Sequence, residues 1–251
     1  MPYDPINIDR PATSTVDRFY ERSRAVSTNP PPADERWGEQ ATDIESTRAM
    51  VAAVDARDPY TRAHSVSVAA YAVAIGRRMG LSAAAVESLR KAALLHDVGK
   101  IGVPDAILTK PGPLTAEEFN TVKRHPEIAI EILGHLSVFA EQLPLILHHH
   151  ERYDGRGYPA GLAGERIPLG ARILAVADAL DTMLSQRTYK PAYNVDQVRA
   201  ELIACSGRQF DPAVVQATLT LLDEQPSLVP LSPQTNFGLV KLSLSSTTDA
   251  V

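Results

Sequence analysis

The stretch Ala92–Ile101, A-A-L-L-H-D-V-G-K-I, decides how the chain is read. An apolar run of helical character ends in His96 and Asp97, and Gly99 and Lys100 follow. Neutral imidazole and carboxylate both ligate divalent metals. On a continuing helix Lys100 lies one turn past His96 and Asp97, so the three groups converge and the ammonium can hold an anion beside them. Gly99 leaves room for a ligand or a second helix. An isolated His-Asp pair is as a rule a surface feature or a helix end, so its meaning rests on its company. Six of the seven histidines stand in short motifs with acids, glycines or basic residues.

Working upstream, Ser82 can cap the helix that carries Val86, Leu89, Ala93 and His96 on its inner face. Before it, Gly80 stops a helix expected from about Tyr60 to Met79, whose stripe is Val68, Ala72, Ile75 and Met79. His64 lies four residues before Val68 and continues that stripe inward, as either a satisfied core histidine or a ligand. Asp58-Pro59 breaks the chain from a further helix over Arg36–Ala56, where Ile44, Val51 and Val54 have helical spacing. That helix either packs on its own domain or pairs with a partner. Residues 1–35 hold six of the nineteen prolines, without period, and read as a flexible extension.

Downstream, Pro104, Pro111, Gly112 and Pro113 mark a loop, and Thr115 with Glu118 has capping-box spacing. In Arg124-His125-Pro126 the proline suits a first helical turn and is expected to push His125 out of helical geometry, just before the helix proper, turned inward or capping. Pro144 begins a short helix expected to end in His148, His149, His150 and Glu151. Leu145 and Ile146 lie one turn below His149 and His150, so those two rings face the core side. Asp154 to Pro159, D-G-R-G-Y-P, is a tight loop, structural by default or a rim to a cleft. On the helix from Pro168, Ile173, Val176, Leu180 and Met183 form the core stripe, and Leu174, Asp178 and Asp181 share the adjacent face. Arg187 and Lys190 follow it. Two more helices are expected over about 195–204 and 212–222. Val240, Leu242 and Leu244 alternate as a short strand or lie in a disordered tail.

Composition narrows the classes. The 251 residues are 44% apolar, ample for one core. No apolar run reaches the ~18 residues of a membrane span. The start lacks a secretory pattern, and the single Cys205 cannot close an internal disulfide, so a cytoplasmic setting is expected. A net charge of −5 offers no field for DNA. No P-loop, dinucleotide fingerprint or nucleophile motif is present. His64, His96-Asp97, His125, His149-His150 and Asp178 all lie on or next to apolar helical faces. That is a ligand supply for two adjacent ions, which a carboxylate such as Asp97 can bridge.

These segments together resemble the HD-GYP branch of the HD-domain metal-dependent phosphohydrolases. The match covers about Asp58 to Ala217. It is carried by D-P-Y-T-R-A-H-S, L-L-H-D-V-G-K-I-G-V-P-D, K-R-H-P-E, H-H-H-E-R-Y-D-G-R-G-Y-P, I-L-A-V-A-D-A-L-D and R-T-Y-K-P, in that order. The resemblance implies an all-α helical bundle over residues 36–225, with irregular extensions at 1–35 and 226–251. It implies a phosphodiesterase that opens cyclic di-GMP to pGpG, or on to GMP, using hydroxide generated between two metals, iron or manganese. The implied metal ligands are His64, His96, Asp97, His125, His149, His150 and Asp178. Asp97 and Lys100 would act in catalysis. Lys100, Arg187 and Lys190 would hold substrate phosphates, with Gly157, Tyr158 and Pro159 at the substrate. Some members carry a glutamate four residues before the first histidine, toward a third metal; here Tyr60 stands there, and two ions are expected. Nothing upstream resembles a receiver or other sensory segment, so an input is missing or lies in a partner, and a homodimer or a sensory partner could engage through the N-terminal helix. The rivals are a related phosphohydrolase acting on a nucleotide or a hybrid cyclic dinucleotide, and a catalytically silent cyclic di-GMP receptor.

Overall fold

A computed structural model describes Met50, residues 59–185 and residues 192–224. The helix expected over Arg36–Ala56, apart from Met50, lies outside the described residues. So do both extensions and the pair Arg187 and Lys190.

Among the described residues the chain is helical, in the order α1 Pro59–Arg78, α2 Ala83–Leu95, α3 Asp105–Leu108, α4 Ala116–Val122, α5 His125–Leu133, α6 Leu143–Leu147, α7 Leu169–Leu184, α8 Val195–Cys205 and α9 Pro212–Glu224. Local signals fix most ends. Gly80, at φ +77°, stops α1. Ser82 Oγ accepts from Ala85 N at 3.2 Å at the start of α2. Thr115 and Glu118 close a capping box on α4. Asn194 and Gln197 close another on α8. Among the described residues no helix is long and apolar enough to cross a membrane.

Two apolar cores meet along α2. One joins Val68, Ala72 and Ile75 of α1 to Leu89 and Ala93 of α2, Ile173, Val176 and Leu180 of α7, and residues of α8 and α9. The other joins Ala92 and Leu95 of α2 to Ala129, Ile130 and Leu133 of α5 and Ile146 and Leu147 of α6. Each fully buried aliphatic side chain contributes ~1.5–3 kcal/mol. The C-terminal end of α2 lies on the seam between the two cores.

Three local expectations differ from the observed backbone. Helix α2 ends at Leu95 instead of running through Lys100, and Val98–Gly102 forms a 3₁₀ turn. The cause is packing: a Cβ at Gly99 would lie 2.7 Å from Ala129 N and closer still to the His125 carbonyl, so α5 crosses directly on this backbone. Helix α6 ends at Leu147, and His148–His150 follow in turns. His125 is the first residue of α5 and not a residue before it, with Pro126 inside the first turn.

Candidate metal centre

Four segments converge on the seam: α1 with His64, the end of α2 with His96 and Asp97, the start of α5 with His125, and the turn after α6 with His149 and His150. Helix α7 adds Asp178. The imidazole rings form a continuous chain, with centroids 5.4 Å apart for His64–His96, 5.2 Å for His96–His149, 5.3 Å for His125–His149 and 3.9 Å for His149–His150. His96, Asp97, His125 and His149 are almost completely buried.

Asp97 lies in the middle. Its Oδ1 is 3.6 Å from His125 Nε2, while its Oδ2 is 3.5 Å from His96 Nε2 and 3.9 Å from His64 Nε2. The two oxygens thus face two different groups of donors. Lys100 Nζ donates to Oδ2 at 2.6 Å. The 3₁₀ turn explains this contact, because side chains three residues apart eclipse one another in that geometry. Three sets of potential ligand atoms lie within 4.8 Å of one another: His125, His149 and His150; His64, His96 and Asp178; and His96, Asp97 and His149.

Hydrogen bonding behind the rings fixes which nitrogen faces inward. His96 Nδ1 donates to the Ala93 carbonyl at 2.7 Å, His125 Nδ1 to Val122 at 2.8 Å, and His149 Nδ1 to Ile146 at 2.6 Å. A carbonyl can only accept, so each Nδ1 carries the proton. Burial pushes the His125 and His149 imidazoles below their ordinary range, and burial with the neighbouring His125 takes His150 down to about 3. His125 and His149 are therefore neutral at pH 7, each with a bare Nε2. Those two bare nitrogens face each other at 3.4 Å. With no proton between them, two lone pairs at this distance repel, and a divalent cation held by both nitrogens would remove the conflict. The residues present fit divalent metal.

The other end of the cluster is charged differently. Burial pushes His64 down, but hydrogen bonds with Asp178 and Asp181 and the charge of Asp97 outweigh it and raise the imidazole to about 10. Its Nε2 is 3.3 Å from Asp178 Oδ1 and its Nδ1 is 2.7 Å from Asp181 Oδ2. Burial likewise raises Asp178 and Asp97. The bond to His64 brings Asp178 down to about 2, and His96 and Lys100 hold Asp97 well below the carboxylate range. In the metal-free protein the charged His64 ring thus points Nδ1–H at Asp181 and Nε2–H at Asp178, and a divalent cation held by Nε2 and Asp178 would take the place of the Nε2 proton.

All seven sequence-derived ligand candidates are thus brought together, and Lys100 with them. Tyr158 is adjacent, its ring stacked on His150 at 4.9 Å. Burial and the charges of Asp97 and Asp178 raise its phenol above the ordinary range. A cavity of about 270 Å³ opens beside His149, His150 and Asp178, with Arg152, Thr182 and Gln209 on its other walls. Sequence reasoning missed three residues here. Asp181, noted only as sharing a helix face with Asp178, orients His64. Lys123 places its ammonium 5.7 Å from the Tyr158 ring centroid. Glu151 is buried beneath the loop that carries Tyr158. The spacing of Asp181 three residues after Asp178 was the available signal for the first; the other two depend on tertiary folding.

A helical domain that collects histidines and aspartates at the seam of two cores belongs to the class of all-α metal-centre proteins. A family model described as HD domain matches residues 48–214, and the chain belongs to the HD-domain family. It is 48% identical over 177 residues to the cyclic di-GMP phosphodiesterase response regulator RpfG of Xanthomonas campestris pv. campestris (strain 8004), covering 70% of this chain and 47% of that protein. It is 43% identical over 170 residues to a cyclic di-GMP phosphodiesterase of Thermotoga maritima, covering 67% and 46%. To the 3'3'-cGAMP-specific phosphodiesterase 2 of Vibrio cholerae it is 38% identical over 185 residues, covering 73% and 35%. The chain thus spans half or less of the length of these relatives. Among solved structures, the Bdellovibrio bacteriovorus protein Bd1817 aligns with a TM-score of 0.53 at 18% identity, covering 83% of this chain and 70% of that one. The HD domain of the Listeria monocytogenes phosphodiesterase PgpH aligns at 0.52 and 14%, covering 71% and 98%. These two likenesses concern the fold alone.

Proposed function

We propose that this chain is a metal-dependent phosphodiesterase of the HD-GYP type that opens cyclic di-GMP to pGpG, with GMP as the product of any second cut. The observation that carries the reading is the pair of bare Nε2 atoms of His125 and His149 held face to face beside a carboxylate that reaches both donor groups. The names of the relatives above support the substrate.

Divalent ions bound there supply an acidified water and polarise the phosphodiester oxygens. Two ions are proposed, because Asp97 offers one oxygen to each donor group, and iron or manganese suits the mixed nitrogen and oxygen set. His64, His96 and Asp178 would hold one ion, and His125, His149 and His150 the other. Lys100, already seated on Asp97, presents positive charge where a phosphate oxygen gains negative charge. Arg187 and Lys190 are proposed to hold the phosphates, and Gly157, Tyr158 and Pro159 to border the bound nucleotide. The lone Cys205 suits a cytoplasmic setting, and a homodimer or sensory partner engaged through residues 36–56 is the proposed source of input.

One second reading has an observation in its favour: the 38% identity to a 3'3'-cGAMP-specific enzyme makes a hybrid cyclic dinucleotide a competing substrate. Product chromatography of metal-loaded protein, mixed separately with cyclic di-GMP, 3'3'-cGAMP and cyclic di-AMP, tests both. The expected result is chelator-sensitive conversion of cyclic di-GMP to pGpG with the highest kcat/KM of the three. A higher kcat/KM on 3'3'-cGAMP replaces the substrate, and tight binding without turnover of any of them replaces the enzyme by a receptor.

A further inference from the structure

The run His148–Glu151 divides its work. His149 and His150 join the metal cluster, whereas His148 and Glu151 are buried residues that the chemistry above does not use. The Glu151 side chain is 0% exposed. Its Oε1 accepts from Ala160 N at 2.7 Å and its Oε2 from Leu162 N at 3.1 Å. His148 Nδ1 lies 3.5 Å from the same Oε1. One carboxylate thus reaches across the loop it precedes and takes two backbone donors on the far side of Tyr158. The near side is fixed as well. Tyr158 N donates to the His150 carbonyl at 3.2 Å. A Cβ at Gly157 would come 2.5 Å from Glu151 Cα, so the loop folds flat against this backbone.

We infer that Glu151 is a positioning residue: it holds the loop from Arg152 to Leu162 closed, so that the Tyr158 ring stays stacked on His150 and forms a fixed wall of the substrate site. The inference rests on reading the His-Asp cluster as the catalytic centre. Glu151 borders the cavity beside His150, but its fully buried carboxylate is taken up by the loop amides, so it acts through the loop. A buried carboxylate with two N–H donors is strongly held, because removing either partner leaves the other buried and unpaired. Glutamine at this position keeps one acceptor oxygen and replaces the other by a donor that cannot face an N–H. Glu151→Gln therefore loosens the loop at one point without emptying the site.

Amide hydrogen exchange and steady-state kinetics on the metal-loaded protein test this together. In Glu151→Gln the amides of Ala160 and Leu162 should exchange at least tenfold faster while those of α7 keep their rates. KM for cyclic di-GMP should rise about tenfold, with kcat within twofold and metal content unchanged. Tyr158→Leu should raise KM similarly, and the double variant should be no worse than either single one, because both remove the same wall. If Glu151→Gln does not fold, Ala160→Pro, which deletes one donor from the loop side, should reproduce the rise in KM. Unchanged loop exchange overturns the inference. So does acceleration spread evenly over the whole fold, or a fall in kcat with metal lost. Additive effects of Glu151→Gln and Tyr158→Leu overturn it too. The exchange measurement needs no substrate, so wild-type protein that fails to cleave cyclic di-GMP refutes the proposed function and leaves the loop clamp standing.

Discussion

At the scale of single residues, the cluster works because each inward nitrogen is chosen from behind. Backbone carbonyls of Ala93, Val122 and Ile146 take the Nδ1 protons of His96, His125 and His149. His64 has a carboxylate in that role, the Oδ2 of Asp181 at 2.7 Å. A partner of this kind orients the ring and strengthens its basicity, and losing it typically weakens metal affinity 10- to 100-fold. Asp181→Asn should accordingly lower the affinity for the ion that His64 would hold by about that factor, read by competition titration with a chelating dye. An affinity within twofold of wild type would mean that Asp181 only fills space. That the candidate histidines and aspartates would come together was legible in the sequence, since each histidine sits on or just beyond an apolar face. Asp181 was not, because one turn from Asp178 it is equally a solvated charge until α1 is docked on α7.

At the scale of elements, the decisive contact is between the 3₁₀ turn after α2 and the start of α5. Helical periodicity predicted one unbroken inner face through Lys100, and that reading brought His96, Asp97 and Lys100 together correctly but by the wrong backbone. A periodicity argument cannot see that α5 needs the space where a continuing helix would place Gly99. The helix starts themselves were legible, because the caps at Ser82 and Thr115 are local chemistry. The ends of α2 and α6 were not, because packing of other segments sets them. Gly99→Ala should put a methyl group into the backbone of α5. The expected cost is ~3 kcal/mol, at the upper end for overpacking. Urea unfolding should show it as a lower midpoint with little change in slope. A loss below ~0.5 kcal/mol would show that the helices separate freely at this point.

At the scale of the whole molecule, ionisation of the centre ties stability to pH and to metal. In the metal-free protein burial holds His125, His149 and His150 below the ordinary imidazole value near 6.5. The unfolded chain takes up protons first as pH falls below that value, so stability is complete above ~6.5 and declines toward the folded value, about 3 for His150. Each such group contributes at most ~1.4 kcal/mol per pH unit. His64 has the opposite sign: raised to about 10, its contribution is complete below ~6.5 and fades as pH rises toward 10. Thermal unfolding of chelator-treated protein should therefore show a maximum near neutrality, with a steeper decline on the acid side. Metal-loaded protein should resist acid further, because bound ligands do not protonate until the ion leaves. A flat metal-free profile between pH 5 and 8 would contradict these ionisation states.

The proposed two-ion site, with Asp97 common to both ions, is open to elemental analysis of metal-supplemented protein. That site should hold two ions per chain in the wild type and no more than one in Asp97→Ala. It would be contradicted by a single ion or three in the wild type, or by an Asp97→Ala variant that still binds two.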